Sequence, residues 1–397
     1  MSKSYSKIPR SEIESRITKL RHQLKKDNID GAILLSTPEL YYYSGVGYDG
    51  AVYIPTEGGE PVHLVKRNVS LAQAFSQIPL IQHFGRKSKL FETLDIKRPA
   101  AIAIEKDILS YSFVQFLQSK AKKIKLINYS SIFRQLRSIK SKYEINQIER
   151  AAKLVDLSYE YCTKIATPEM TEIDLALQLE GWLLENGHDG FITTYAFNSE
   201  LLHYAYVISS SSAILNIYFT PISGRGLTLK YPYGPSRQKL KKNTPFIVDT
   251  CGNSQGYISD TTRTFICGQF DEETRNQLES LQQLKQFLQR NLKPGINLGN
   301  LYNDVMELSK ELKINDYFMG TSSDRVAFIG HGVGLELDEL PVFYPKGPNL
   351  VSGNVLACEP KFFIQGKKVL GIEDTYAITD SGNIILSNSL NSFEIST

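Results

Sequence analysis

The 397-residue chain is poor in cysteine and tryptophan: one Trp and four cysteines, Cys162, Cys251, Cys267 and Cys358, with no CxxC pair among them. Such scattered cysteines argue against a disulfide framework or a cysteine-rich zinc module and fit reduced thiols in a cytoplasmic protein. Long apolar runs are lacking too. Nothing approaches the ~18 residues of a membrane span, and the opening MSKSYSKIPRSEIESR has no apolar stretch of the kind a signal peptide carries. Nor does charge of one sign dominate. With 45 Lys+Arg against 42 Asp+Glu the formal net charge is +3, which implies no field suited to nucleic acid or an anionic membrane. The lysine clusters Lys120–Lys125 and Lys239–Lys242 read as solvated faces. The expectation is a soluble, cytoplasmic protein without nucleic-acid or membrane partners.

The chain holds an ordinary globular mixture, 42% apolar and 22% charged, at a length that suggests two domains. Ile13, Ile17, Leu20 and Leu24 recur at helical spacing. Short apolar runs follow, in DGAILLS, AVYIP, PVHLV, IPLIQHF and AAIAIE, with helical patterns between some of them. This alternation predicts an N-terminal α/β domain, residues 1–137. A boundary falls near RSIKSKY. Beyond it Ile145, Ile148, Ala152, Val155, Tyr159 and Cys162 predict a strong amphipathic helix and open a second, α+β domain over residues 138–397. Its polar tail, SNSLNSFEIST, reads as frayed.

The second domain carries a weak internal repeat. A helix near 145–165 leads to Pro168, and another starts at Thr171, where Asp174 three residues on completes a capping signal. Strand-like segments follow up to Phe265. The order then recurs, with a helix near 272–291, Pro294-Gly295, a helix from about Leu298 to Leu312, and more strands. Two related halves facing each other would leave a cleft.

Chemistry concentrates in two acidic hairpins. In TPFIVDTCGNSQGYISDTTRTF, a two-residue turn at Ser254-Gln255 sets Asp249 opposite Asp260. In ACEPKFFIQGKKVLGIEDTYAIT, a loop centred on Gly366 sets Glu359 opposite Glu373. Like charges facing across a hairpin are destabilising unless a cation lies between them. Four carboxylates converging on one cleft suit about two divalent cations. The competing readings are solvated surface aspartates, or carboxylates neutralised by a nearby arginine such as Arg263. A fifth candidate, His331, sits in AFIGHGVGLELDELP among small neighbours that would let an imidazole approach a metal. It could equally be a core histidine. A phosphate-loop reading of GHGVG lacks the Walker lysine. His188, after Gly187, could complement a helix C-terminus, and His203, in FNSELLHYAYV, is a candidate proton carrier on a strand lining the cleft.

The segments VDTCG, YISDTTRTF, GHGVGLELDELP, CEPKFF and GIEDTYAIT, taken together, resemble the pita-bread M24 metallopeptidases, in the branch of prolidase and aminopeptidase P. The N-terminal domain resembles the creatinase-type N-terminal domain, with IDGAILLSTPELYYYSGVGYDG. The resemblance implies that Asp249, Asp260, His331, Glu359 and Glu373 hold two divalent metal ions, with Asp260 and Glu373 bridging. It implies hydrolysis of short peptides near proline, as an Xaa-Pro dipeptidase or aminopeptidase, with Glu359 as the catalytic proton carrier. Oxygen ligands with one imidazole suit Mn²⁺, Co²⁺, Zn²⁺ or Fe²⁺. A homodimer is implied on the same ground. Four positions depart from the family pattern. Pro232 and Asp338 stand where relatives have histidine. Lys361 follows Glu359-Pro360 where glycine is usual, and Gly371 stands where arginine is usual. Because the fold does not fix the chemistry, a non-peptidase enzyme of the same fold, an amidinohydrolase or lyase on a small molecule, is the alternative. A non-enzymatic scaffold is a third reading, opposed by the complete ligand set.

Overall fold

In a computed structural model, residues 6–48, 50–96, 99–195, 203–215, 220–321 and 324–396 are described. They form two compact units, residues 1–137 and 138–397.

The first unit is built on a six-stranded mixed sheet. Its strands are β1 (Gly31–Leu34), β2 (Gly50–Pro55), β3 (Val62–Val65), β4 (Leu80–His83), β5 (Ala100–Ile104) and β6 (Ile124–Asn128), in the order β4-β3-β2-β1-β5-β6. Strand β1 runs parallel to β5 and antiparallel to β2. Its four residues, GAIL, are all buried, as a strand covered on both faces requires. Helix α1 (Arg10–Lys26) buries Ile13, Ile17, Leu20 and Leu24, the residues whose spacing predicts it.

The second unit repeats one plan twice. Helix α2 (Lys142–Ile165) starts at a capping box of Ser141 and Glu144, and α3 (Glu172–Glu185) at one of Thr171 and Asp174. They accompany a four-stranded sheet of β7 (Ala205–Ser209), β8 (Pro245–Ser254), β9 (Tyr257–Cys267) and the last strand of the chain, Ser392–Ile395. Helices α4 (Glu272–Asn291) and α5 (Leu298–Glu311) accompany a five-stranded sheet. Its strands are β10 (Gly330–Gly332), β11 (Glu339–Phe343), β12 (Val355–Cys358), β15 (Asp374–Thr379) and β16 (Gly382–Ile385), in the order β11-β10-β12-β15-β16. Between β12 and β15 the chain forms a two-stranded ribbon of β13 (Lys361–Ile364) and β14 (Lys368–Gly371). The last strand is β17, Ser392–Ile395.

Each half has its own core. Val155, Tyr159, Leu175 and Leu179 from α2 and α3 meet Val248 and Phe265. Leu281, Leu284, Leu301 and Val305 from α4 and α5 meet Leu356 and Tyr376. Helix α2 lies close to β8 because residue 252 is glycine: a Cβ there would come 2.3 Å from Ala151 O. The tail is not frayed. Strand β17 pairs in parallel with β9, Phe393 stacks on Phe265 with ring centroids 4.8 Å apart, and Ile395 is buried. A polar composition hid two apolar residues, Phe393 and Ile395, spaced to point the same way along a strand.

Candidate metal centre

The first acidic hairpin turns one residue later than the sequence suggests. Gln255 and Gly256 take positive φ values of 53° and 78°, the left-handed pair of a type I′ turn, which favours glycine at its second position. Ser254 therefore pairs with Tyr257, Cys251 with Asp260 and Asp249 with Thr262. Asp249 and Asp260 are not directly opposed. They remain on one face of the hairpin, offset by two positions, because cross-strand partners and residues two apart share a face.

The second hairpin keeps the expected register. Lys361 pairs with Gly371 and Ile364 with Lys368, around a loop in which Gly366 has φ +69°. On the other side of Glu359 and Glu373, Cys358 pairs with Asp374, and between these pairs Ile372 N donates to Pro360 O at 3.2 Å. Glu359 and Glu373 thus face each other. Glu373 N donates to Thr262 O at 3.0 Å, and Asp260 N donates to Thr375 Oγ1 at 3.1 Å. These bonds lay the second hairpin against the first and bring the carboxylates together.

His331 enters from β10. The glycines beside it serve the backbone rather than the imidazole. A Cβ on Gly330 would lie 2.2 Å from Ala357 O, and one on Gly332 would lie 2.3 Å from Leu340 O. Only glycine lets β10 sit this close to its neighbours. The ring Nδ1 lies 3.2 Å from Gly332 O. A proton on Nδ1 satisfies that carbonyl and leaves Nε2 with a free lone pair, the form a metal needs.

The donor atoms divide into two sets. On one side Lys361 Nζ donates to Glu359 Oε2 at 2.7 Å and to Asp249 Oδ2 at 2.9 Å, and lies 3.5 Å from Glu373 Oε2. Thr262 Oγ1 donates to that same Glu373 oxygen at 2.6 Å. On the other side His331 Nε2 lies 3.8 Å from Asp260 Oδ2 and 3.9 Å from Glu359 Oε1. Among the described residues, Glu359 Oε1 and Glu373 Oε1 are buried without a hydrogen-bond partner. Leaving a buried carboxylate oxygen unpaired is costly, and two such oxygens beside an imidazole lone pair fit a divalent cation. Among the described residues, Asp260, His331 and Glu373 each offer an atom within 4.8 Å of the others.

The electrostatics point the same way. Burial, then Glu373 and Asp249 nearby, push the Asp260 carboxyl well above the usual aspartate range. Burial pushes Glu373 up to about 8 against the opposing pull of Lys361. Burial would depress the Lys361 ammonium, but Asp249, Glu359 and Glu373 outweigh it and hold it well above its ordinary value. This is a pocket with an excess of negative charge after one ammonium is counted.

Other expectations have different outcomes. Arg263, the arginine considered as neutraliser, pairs with the Asp374 carboxylate at 2.6 Å and not with the carboxylates of the candidate ligands; it meets Glu373 only at its backbone carbonyl. His188 Nε2 lies 3.0 Å from Cys251 O, and its Nδ1 accepts from Gly190 N at 2.9 Å. It is a structural link rather than a helix cap. His203 Nδ1 lies 3.0 Å from Glu180 Oε1. The FNSELL residues before it, expected to form part of a strand, lie outside the described residues. Asp338 Oδ1 accepts from Tyr195 N at 2.8 Å. In the sequence Lys361 stands out only as a departure from the family pattern; the structure sets its ammonium among the carboxylates. The signal was available, since the register that opposes Glu359 to Glu373 also opposes Lys361 to the side-chain-free Gly371.

Buried carboxylates from two hairpins meeting one imidazole form the donor set of a metal-dependent hydrolase. The chain belongs to metallopeptidase family M24, whose family pattern matches residues 146–380. The creatinase/prolidase N-terminal domain pattern matches residues 16–139. The chain is 25% identical over 373 residues to an Xaa-Pro dipeptidase of Pyrococcus furiosus, covering 93% of this chain and 97% of the relative. It is 24% identical over 383 residues to an uncharacterized peptidase of Bacillus subtilis, covering 94% and 98%. The solved prolidase of Pyrococcus horikoshii matches with a TM-score of 0.77 at 24% identity, covering 95% of this chain and 99% of that one. A solved dipeptidase PepE of Mycobacterium ulcerans matches with a TM-score of 0.77 at 20% identity, covering 99% and 100%. The fold is therefore a creatinase-type α/β domain followed by a pita-bread α+β domain. No helix among the described residues is long and apolar enough to cross a membrane.

Proposed function

We propose that the protein is a divalent-metal-dependent peptidase that cleaves short Xaa-Pro peptides, with Asp260, His331, Glu359 and Glu373 holding metal. The observation that carries the reading is the pair of buried oxygens, Glu359 Oε1 and Glu373 Oε1, unpartnered among the described residues, on carboxylates that gather with Asp260 around His331. The substrate class rests on the relatives that match over nearly their whole length and carry the name Xaa-Pro dipeptidase.

Asp260, His331, Glu359 and Glu373 would hold a cation whose chemistry there would be to polarise the scissile carbonyl and lower the pKa of water. Glu359 is the proton carrier in this reading. Its Oε1 takes the proton of the attacking water and returns it to the departing nitrogen, while its Oε2 is held by Lys361. Thr262, by donating to Glu373 Oε2, fixes the rotation of that carboxylate and leaves Oε1 as the oxygen that would meet a cation. Mn²⁺, Co²⁺, Zn²⁺ and Fe²⁺ all suit the donors. The four free, buried cysteines are consistent with a cytoplasmic location. A homodimer completes the reading.

The test is a panel of Xaa-Pro dipeptides and Xaa-Pro-Yaa tripeptides, assayed with chelated protein and again after adding Mn²⁺ or Co²⁺. Metal-dependent release of proline or of the N-terminal residue is expected, with Glu359→Gln inactive. Binding of metal with every peptide left intact would overturn the peptidase reading and favour small-molecule chemistry at the same centre.

A further inference from the structure

The sequence suggests two cations for the five acidic and imidazole ligands, but the structure already supplies a positive charge to one set of donors. Asp249 Oδ2, Glu359 Oε2 and Glu373 Oε2 all lie within 3.5 Å of Lys361 Nζ, on a side chain only 1% exposed. Given the metal-dependent reading above, on which this rests, we propose that the Lys361 ammonium is a built-in cation standing in for one of the two metal ions. The centre then takes a single divalent ion, at Asp260, His331, Glu359 and Glu373.

Three features carry the argument. First, the donors are divided without overlap. Each glutamate gives its Oε2 to the lysine side and leaves its Oε1 unpartnered. Asp249 is committed to Lys361, whereas Asp260 Oδ2 faces His331 Nε2. Second, the lysine is held in place from its backbone outward. Its carbonyl accepts from Met319 N at 2.9 Å, and it pairs across the ribbon with Gly371. A Cβ on residue 371 would meet Lys361 Cγ at 3.3 Å and Thr262 Cγ2 at 2.9 Å. The lack of a side chain at 371 is what makes room for the lysine stem to run into the site. Lys361 and Gly371, two separate departures when read along the chain, are one cross-strand adjustment. Third, the ammonium already takes the place a second dication would need. Four carboxylates face one ammonium, and one dication offsets most of the negative charge that remains. A second dication at Asp249 would sit against the ammonium, with the same oxygens asked to serve both.

The experiment is a metal count on the full-length protein. Chelated wild-type protein is loaded with excess Mn²⁺, passed through gel filtration and analysed by elemental mass spectrometry and electron paramagnetic resonance. One manganese per chain is expected, with the hyperfine pattern of an isolated Mn²⁺. Lys361→Gly is expected to raise the count from one to two and to give the broadened, spin-coupled signal of a pair. Two ions per wild-type chain with a coupled signal would overturn the inference and leave the hydrolase reading standing. No retained ion would sink that reading itself, and the inference with it. If Lys361→Gly fails to fold, the wild-type count and spectrum decide alone.

Discussion

The Arg263 guanidinium donates to the Asp374 carboxylate at 2.6 Å, with both side chains sealed from solvent. Arg263 also donates to Glu373 O, and Lys285 reaches the other Asp374 oxygen at 2.7 Å. The residue before each partner, Thr262 and Glu373, faces the site, so this ion cluster is the rear support of the metal centre. Burial alone would raise the Asp374 carboxyl, but Arg263 and Lys285 outweigh it and hold it below the usual aspartate range.

Asp374→Asn leaves two buried cations without their counter-charge. It is expected to cost about 3–5 kcal/mol of unfolding free energy, measured by denaturant titration. Glu169→Gln, which breaks the exposed pair with Lys239, is the control and is expected to leave the unfolding midpoint close to that of the wild type. Equal effects of the two changes would refute the supporting role given to the buried cluster.

Substitutions among the donors separate the two sides of the centre. His331→Ala and Asp260→Asn remove proposed ligands and are expected to weaken Mn²⁺ binding by more than the ~10–100-fold that outer partners cost. Asp249→Asn keeps a hydrogen-bond acceptor for Lys361 and lies outside the group of Asp260, His331 and Glu373. Its metal affinity is expected to stay within about 10-fold of wild type, the lower bound for an outer partner. Isothermal titration of the three variants checks this, and a loss in Asp249→Asn equal to that in His331→Ala would place Asp249 among the direct ligands.

How much of this was legible depended on turn chemistry. The loop around Gly366 announces its own centre, and so the facing of Glu359 and Glu373 followed from the sequence. In CGNSQG the glycine that matters is Gly256, at the second turn position, with Gln255 in a left-handed conformation that few non-glycine residues adopt. Placing the turn one residue early moved Asp249 from opposite Thr262 to opposite Asp260. Periodicity revealed α1 to α5 because each buries one apolar face. It could not reveal Lys361, since a lysine in a strand ordinarily signals an exposed edge. What neutralises it here is three carboxylates, Glu359 two residues before it, Glu373 from the other arm of its own hairpin and Asp249 from the first hairpin. The tail was misread because four residues of strand are too short to show a pattern.

Asp338 ties down a neighbouring segment rather than filling a histidine's place. Its Oδ1 accepts from Tyr195 N at 2.8 Å, and beside it Leu337 N donates to Thr193 O at 2.8 Å. A hydrogen bond to a charged acceptor contributes roughly 1.5–3 kcal/mol. Asp338→Ala is expected to speed amide exchange at Tyr195 by about 10- to 100-fold, the same energy read as a rate. Asp338→Asn retains an acceptor and should exchange at close to the wild-type rate. Unchanged exchange in Asp338→Ala would show that the segment is held by something else.

His63 gives the N-terminal domain a defined response to acid. Its ring is fully buried in β3, with Nδ1 3.0 Å from Ser76 Oγ and Nε2 without a partner among the described residues. Burial lowers its pKa to about 4, against about 6.5 in an unfolded chain. Above pH 6.5 both states carry the neutral ring and the group adds no pH dependence. As pH falls below that, the unfolded chain takes up a proton that the native domain refuses until about pH 4, so stability drops across this window and levels off beneath it. The drop is on the order of 3 kcal/mol. His63→Leu removes the titrating group and is expected to flatten that part of the curve, whatever it does to stability at neutral pH. The comparison is made by hydrogen exchange of the β2 and β3 amides at a series of pH values, corrected for intrinsic rates. Wild-type and variant curves that run parallel from pH 6.5 to 4 would show that His63 is not the group responsible.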